Sequence, residues 1–156
     1  MLTALIILCA KYLIYVEILA FIVFVVSVRR GARARLAWMS FIALPLAYIV
    51  GKIASYTWYD TRPFVESGLV PLIEHVADNG FPSDHMLLGA TLASLVTVRS
   101  PRWGLLFWAM AIAVGASRVA AQIHHPIDII ASAIIGIVSA LIAFYIIVLR
   151  KIRKAR

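Results

Sequence analysis

Charge is scarce in this sequence of 156 residues: Asp, Glu, Lys and Arg make up 14%, against about a quarter in an ordinary soluble domain, while 63% is hydrophobic. A water-soluble fold is excluded by that balance. Cys9 is the one cysteine, so no disulfide can form within the chain and no cysteine-rich metal cluster can be built. A secretory signal is also missing, because the first apolar stretch, 2–28, is too long and has neither a basic start nor a small-residue cleavage site. Without internal repeats or low-complexity tracts, residues 1–156 read as a single integral membrane domain. The net charge of +8 raises the question of nucleic acid, but the basic residues are interleaved with membrane-length apolar segments rather than gathered on a polar domain. No nucleic-acid partner is expected.

What the chain does have is long apolar runs. A spanning helix needs about 20 mostly apolar residues, and 2–28, 36–53, 103–123 and 127–149 qualify. The run at 86–98 is shorter, yet its neighbours demand a crossing there too. The expected fold is therefore all-α: a polytopic helical bundle of about five transmembrane helices. A short interfacial helix is predicted over 69–77, where Leu69, Leu72, Ile73 and Val76 share one helical face.

With five crossings, the basic clusters Arg29, Arg30, Arg33, Arg35, then Arg99, Arg102, then Arg150, Lys151, Arg153, Lys154, Arg156 all fall on one side. Short cytoplasmic loops carry such an excess. The C-terminus is then cytoplasmic and the N-terminus outside, as is the long segment 56–81. All four histidines and every acid except Glu17 are placed on the outer face. Polar chemistry is concentrated there.

Three clusters stand at the outer helix ends: Lys52 with Arg62-Pro63, then Phe81-Pro82-Ser83-Asp84-His85, then Ser117-Arg118 followed by His124, His125 and Asp128. Ser83 reads as an N-cap, and the helix it opens offers free N–H groups and a positive dipole end to an anion beside His85. Pro126 suits a first helical position, which brings Asp128 into the first turn within reach of His124. A carboxylate on one imidazole nitrogen fixes the tautomer and leaves the other nitrogen as a nucleophile. Lys52, Arg62 and Arg118 supply positive charge for a phosphoryl group, and His85 remains as proton donor to the departing oxygen. His125 is also near Asp128. A zinc site from His85, His124, His125 and Asp128 is opposed by the three cations, so no metal and no cofactor is expected.

Arg62-Pro63 after an upstream lysine, Pro82-Ser83-x-His85 and Ser117-Arg118-x5-His124-x3-Asp128 resemble the three signature motifs of the type 2 phosphatidic acid phosphatase superfamily. The resemblance runs from Lys52 to Asp128, and the third motif matches in every spacing. It implies a phosphohistidine on His124, with Asp128 orienting it and His85 protonating the leaving group. Lys52, Arg62, Ser83, Asp84, Ser117 and Arg118 would then hold phosphate without metal. Nine residues separate Lys52 from Arg62 where the superfamily pattern has six, and Asp84 takes the usual glycine position. The Asp84 form, after Trp58-Tyr59-Asp60-Thr61-Arg62-Pro63-Phe64, resembles the bacitracin-resistance branch of undecaprenyl-diphosphate phosphatases. The family more often has six spans, so this chain resembles one lacking the first.

Other polar residues have plainer readings. Lys11 and Glu17 are read as structural, by pairing or by snorkelling, and Glu66, Glu74, His75 and Asp78 as a solvated face of the interfacial helix. The leading expectation is an enzyme of a bacterial plasma membrane, acting on an isoprenoid diphosphate from the outer leaflet. Its partners would be that substrate and membrane lipids, with no obligate protein partner. Glycerolipid phosphates are the alternative substrates. A small anion transporter is the alternative class, whose signature would be charge at the membrane midplane rather than at one end, and a non-enzymatic assembly subunit would leave the polar cluster without a purpose.

Overall fold

The computed structural model describes residues 1–149, and the basic tail Arg150, Lys151, Arg153, Lys154 and Arg156 lies outside the described residues. The long apolar runs become helices α1 (Leu2–Ser27), α2 (Arg30–Thr57), α5 (Pro101–Ala120) and α6 (Pro126–Phe144), with a π turn at Tyr145–Leu149 after the last. All four are long and apolar enough to cross a membrane. Between them stand a five-residue helix, α3 (Pro63–Ser67), and α4 (Asp84–Arg99). No strand occurs among the described residues beyond an isolated bridge of Thr61 with Asn79. The chain is an all-α integral membrane bundle.

The short run becomes the centre. At 1.5 Å per residue α4 spans roughly 24 Å, and α1, α2, α5 and α6 all pack on it. Its residues Leu92, Ala93, Leu95 and Val96 are buried against Phe21 and Phe24 of α1, Leu36 and Met39 of α2, Phe107 of α5 and Ala140 of α6. The sequence could leave this helix short and only mildly apolar because protein, not lipid, surrounds it. Thr91, Ser94 and Thr97 donate their hydroxyls to the carbonyls of Leu87, Ala90 and Ala93, each at 2.7 Å, so none of these three hydroxyls is stranded. By contrast Leu5, Leu8, Leu19, Ile22 and Val23 of α1 stay exposed, the outward face that lipid would cover.

The expected helix over 69–77 is absent. Pro71 is the third residue of that stretch, where it removes an amide donor and drives Val70 away from helical dihedrals. A short helix comes earlier, opened by Pro63 at its first turn and closed by Gly68 at φ 67°. After it the chain is pinned rather than coiled: Leu72 N–H donates to the Ala121 carbonyl, and Ile73 is buried with Ala10, Ala121 and Ile123. Lys11 and Glu17 do not pair either. Lys11 is exposed, whereas Glu17 is fully buried beside Gly89 with both carboxyl oxygens unpartnered among the described residues.

Close helix approach depends on absent side chains. A Cβ on Gly136 of α6 would stand 2.9 Å from the Thr91 backbone nitrogen and 3.0 Å from Ala90 Cβ of α4. Neither neighbour is a flexible tip that can move aside. Gly136→Val is expected to push α6 off α4 and destabilise the bundle by about 1–3 kcal/mol, the usual range for overpacking. Thermal unfolding in detergent checks this, and an unchanged Tm would show that the contact is looser than drawn.

Candidate active site

Antiparallel packing brings one end of every long helix to the same place: the C-termini of α2 and α5, the N-termini of α4 and α6, and the first half of α1. Between them is a cavity of about 200 Å³ lined by Lys52, Arg62, His75, Asp78, Asp84, His85, Arg118 and His124, among others. The three sequence clusters therefore converge. Arg29, Arg30, Arg33, Arg99 and Arg102 fall at the opposite ends of these helices.

Arg118 is buried in the last turn of α5. Its Nη1 donates to the Ala10 carbonyl at 3.2 Å and its Nη2 lies 3.3 Å from His124 Nε2. Its Nε has no partner among the described residues. On the other side of the ring, His124 Nδ1 is 3.2 Å from Asp128 Oδ2. That carboxylate is fully buried and also accepts the His125 backbone N–H at 2.8 Å, a capping box opening α6. A proton on Nδ1 satisfies Asp128, so Nε2 keeps its lone pair and turns it toward the cavity and Arg118. Burial, with Arg118 and Arg62 next, pushes the His124 imidazole down to about 3. The ring is neutral.

His85, in the first turn of α4, lines the cavity beside them. Ser83 holds the N-cap position as expected, but its hydroxyl caps nothing. The Oγ is fully buried and unpartnered among the described residues. Lys52 and Asp84 are more peripheral, half-exposed or more, with Nζ 3.8 Å from Oδ2. Ser117 departs from the expectation of a phosphate ligand: it does not line the cavity, and its hydroxyl donates to the Val114 carbonyl at 2.8 Å.

Arg62 is buried and heavily engaged, donating from Nε to Asp78 at 2.8 Å, from Nη1 to the Ile123 carbonyl at 2.7 Å and from Nη2 to the Asn79 carbonyl at 3.2 Å. A guanidinium has five N–H donors, so two remain for a ligand. Burial opposes the charge on Asp78, yet the Arg62 guanidinium holds it below the usual carboxylate range.

Sequence reasoning missed several participants. His75 and Asp78, read as a solvated face, both line the cavity, and the His75 ring meets that of His124 edge-on at 6.4 Å between centroids. Burial, then Arg62, keeps His75 below the ordinary histidine value. Asn79 went unremarked, although Asn79-Gly80 is a turn signal. Its Oδ1 accepts from Asp60 N at 3.0 Å and Phe81 N at 2.9 Å, and its Nδ2 donates to the Ser55 and Trp58 carbonyls, each at 2.9 Å. One side chain ties both loops. Glu66 and Asp60 both contact His125, and this ring does not line the cavity.

The PAP2 superfamily profile matches residues 11–152. The chain belongs to the PAP2 superfamily. A Bacillus licheniformis protein named bacitracin transport permease protein BcrC is 36% identical over 87% of this chain and 67% of its own length. The undecaprenyl-diphosphatase BcrC of Bacillus subtilis is 30% identical over 62% of this chain and 50% of its own length. The match thus spans about two thirds of the first relative and about half of the second. The crystal structure of Aquifex aeolicus LpxE has the same fold, with a TM-score of 0.69 at 19% identity, covering 91% of this chain and 82% of that one.

A neutral buried His124 makes stability depend on pH in a fixed direction. In the unfolded chain the imidazole binds a proton below about 6.5, whereas in the fold it does not until about 3. Stability from this group is full above 6.5 and drains away as pH falls toward 3. Histidine NMR in detergent should show the His124 ring unprotonated down to pH 5. A midpoint near 6.5 would mean that the pocket does not shield it.

Proposed function

We propose that this protein is a lipid phosphatase that removes the terminal phosphate of an isoprenoid diphosphate, undecaprenyl diphosphate giving undecaprenyl phosphate, through a phosphohistidine on His124. The observation that carries the reading is a set of three buried groups: Arg118 Nε and Ser83 Oγ, which have no partner among the described residues, and His124 Nε2, whose lone pair accepts from Arg118 Nη2 at 3.3 Å. Buried donors without partners are rare and costly unless something else fills them. A tetrahedral phosphoryl group offers acceptor oxygens to the first two and a phosphorus to the third.

In the first half-reaction Nε2 attacks the terminal phosphorus, the bond to the bridging oxygen breaks, and His85 gives that oxygen its proton. Arg118 swings from Nε2 onto the phosphoryl oxygens, joined by Lys52, the free Arg62 donors, Ser83 and the α4 N–H groups. Asp128 balances the charge that grows on the ring. Water then attacks the phosphohistidine, His85 takes its proton, and inorganic phosphate leaves. Every group in the cycle comes from the chain, so catalysis needs no metal. The name of the Bacillus subtilis relative, undecaprenyl-diphosphatase, supports the substrate. The basic loops at the far helix ends favour a site on the outer face, with the C-terminus cytoplasmic.

The test is phosphate release by detergent-purified protein over a panel of isoprenoid diphosphates and glycerolipid phosphates. Release is expected to persist in EDTA, to fall by about a thousand-fold or more in His124→Ala, and by roughly 10²- to 10⁴-fold in His85→Ala. A preference for glycerolipid phosphates would overturn the substrate and leave the mechanism. Wild-type protein inert on the whole panel, with flux in proteoliposomes, would replace the enzyme by a transporter.

A further inference from the structure

Behind His124, on the side away from the cavity, Asp128 is joined by ionisable groups that the reaction above does not use. Asp128 spends Oδ2 on His124 and on the His125 amide, while Oδ1 is buried and has no hydrogen-bonded partner among the described residues. Close to this carboxyl group is Asp60, from the loop before α3. One oxygen of Asp60, one oxygen of Asp128 and one ring nitrogen of His125 all lie within 4.8 Å of one another. Asp60 Oδ2 is 3.0 Å from His125 Nδ1, and His125 Nε2 is 3.4 Å from Glu66 Oε2 at the surface.

The loop is built to hold this carboxyl in place. Asp60 donates its N–H to Asn79 and accepts the Gly80 N–H at 2.8 Å on its carbonyl. Gly80 itself packs into the gap: a Cβ there would sit 3.2 Å from the Asp60 carbonyl oxygen and 3.4 Å from Asp128 Oδ2. The absent side chain is what lets the loop close over both carboxyls.

Two carboxylates in this position repel one another, and Asp128 Oδ1 wants a donor. A proton on Asp60 removes both problems at once. We propose that Asp60 is a positioning residue that acts as a neutral carboxylic acid, donating its proton in a hydrogen bond to Asp128 Oδ1 while Oδ2 accepts from His125. The line then runs Glu66, His125, Asp60, Asp128, His124, and it holds the Asp128 carboxylate in the rotation that keeps the proton on His124 Nδ1. Burial, and next the facing Asp128, keep Asp60 above the usual carboxylate range, in agreement with a retained proton. The inference rests on His124 and Asp128 acting as proposed above.

The experiment compares Asp60→Asn and Asp60→Ala in full-length protein. An asparagine can donate to Asp128 Oδ1 through its amide and accept from His125 through its carbonyl; alanine can do neither. Asp60→Asn is expected to keep kcat within about three-fold of wild type. Asp60→Ala is expected to lose kcat by about ten- to a hundred-fold, the range for removing a residue that orients a ligand from behind, with KM little changed. The ¹⁵N signals of His124 should report the Nδ1–H tautomer in wild type and Asp60→Asn, and a mixture in Asp60→Ala. This readout needs no substrate, so a wild type inert on every lipid would sink the proposed function and still decide the role of Asp60. Three results overturn the inference: Asp60→Asn as impaired as Asp60→Ala, which would demand an ionised carboxylate; Asp60→Ala with full kcat and an unchanged His124 tautomer; or activity lost to a chelator and restored by a divalent cation, which would put a metal where the proton is placed.

Discussion

The buried contact between Arg118 and His124 Nε2 is the constraint on which the rest of the structure depends. A guanidinium cannot be neutralised by losing its proton, so burying one demands compensation from every side. α1 supplies the Ala10 carbonyl, the loop before α6 supplies an imidazole lone pair, and the Nε–H has no partner among the described residues. Burial first, and then that same charge, keep the imidazole unprotonated. The packing that places the ring also sets its protonation.

That contact also explains why the bundle is arranged as it is. Arg118 lies in the last turn of α5, His124 follows six residues later, and Asp128 lies in the first turn of α6, so the two helices must meet at a tight corner. The corner is short enough that Gln122 adopts a positive φ of 64°. The long segment between α2 and α4 closes the same site from above, and it does so through Arg62, whose donors reach Asp78, Asn79 and Ile123. Arg62 thus serves the loops at least as much as it can serve a ligand.

What was legible in the sequence follows from range. Helix spans and the motif Ser117-Arg118-x5-His124-x3-Asp128 are local, and local periodicity and spacing carry them. The choice of His124 over His125 was legible only through motif register; in the structure one ring lines the cavity and its neighbour turns to Asp60 and Glu66. The segment 69–77 misled because its apolar spacing was helical, while Pro71 and tertiary contacts with Ala10 and Ala121 decided its path. His75, Asp78 and Asn79 were illegible for the same reason. Their roles arise from loop closure across sixteen or more residues, as in the Arg62 to Asp78 contact, and no local pattern announces it.

Ser83 shows how a correct position can carry the wrong reason. The sequence places a serine at the start of α4, where a hydroxyl normally caps the first turn. Here it does not, although the backbone around it is that of an N-cap. A capped helix start would have its first donors satisfied internally and little left for an anion. Without that bond the first-turn amides of α4 are not capped by Ser83, and Ser83 Oγ is buried with no partner among the described residues. The helix gives up a contribution of order 1 kcal/mol at its N-terminus, and a phosphoryl group arriving there would restore it. A local sacrifice of this kind separates a binding site from a merely polar helix end.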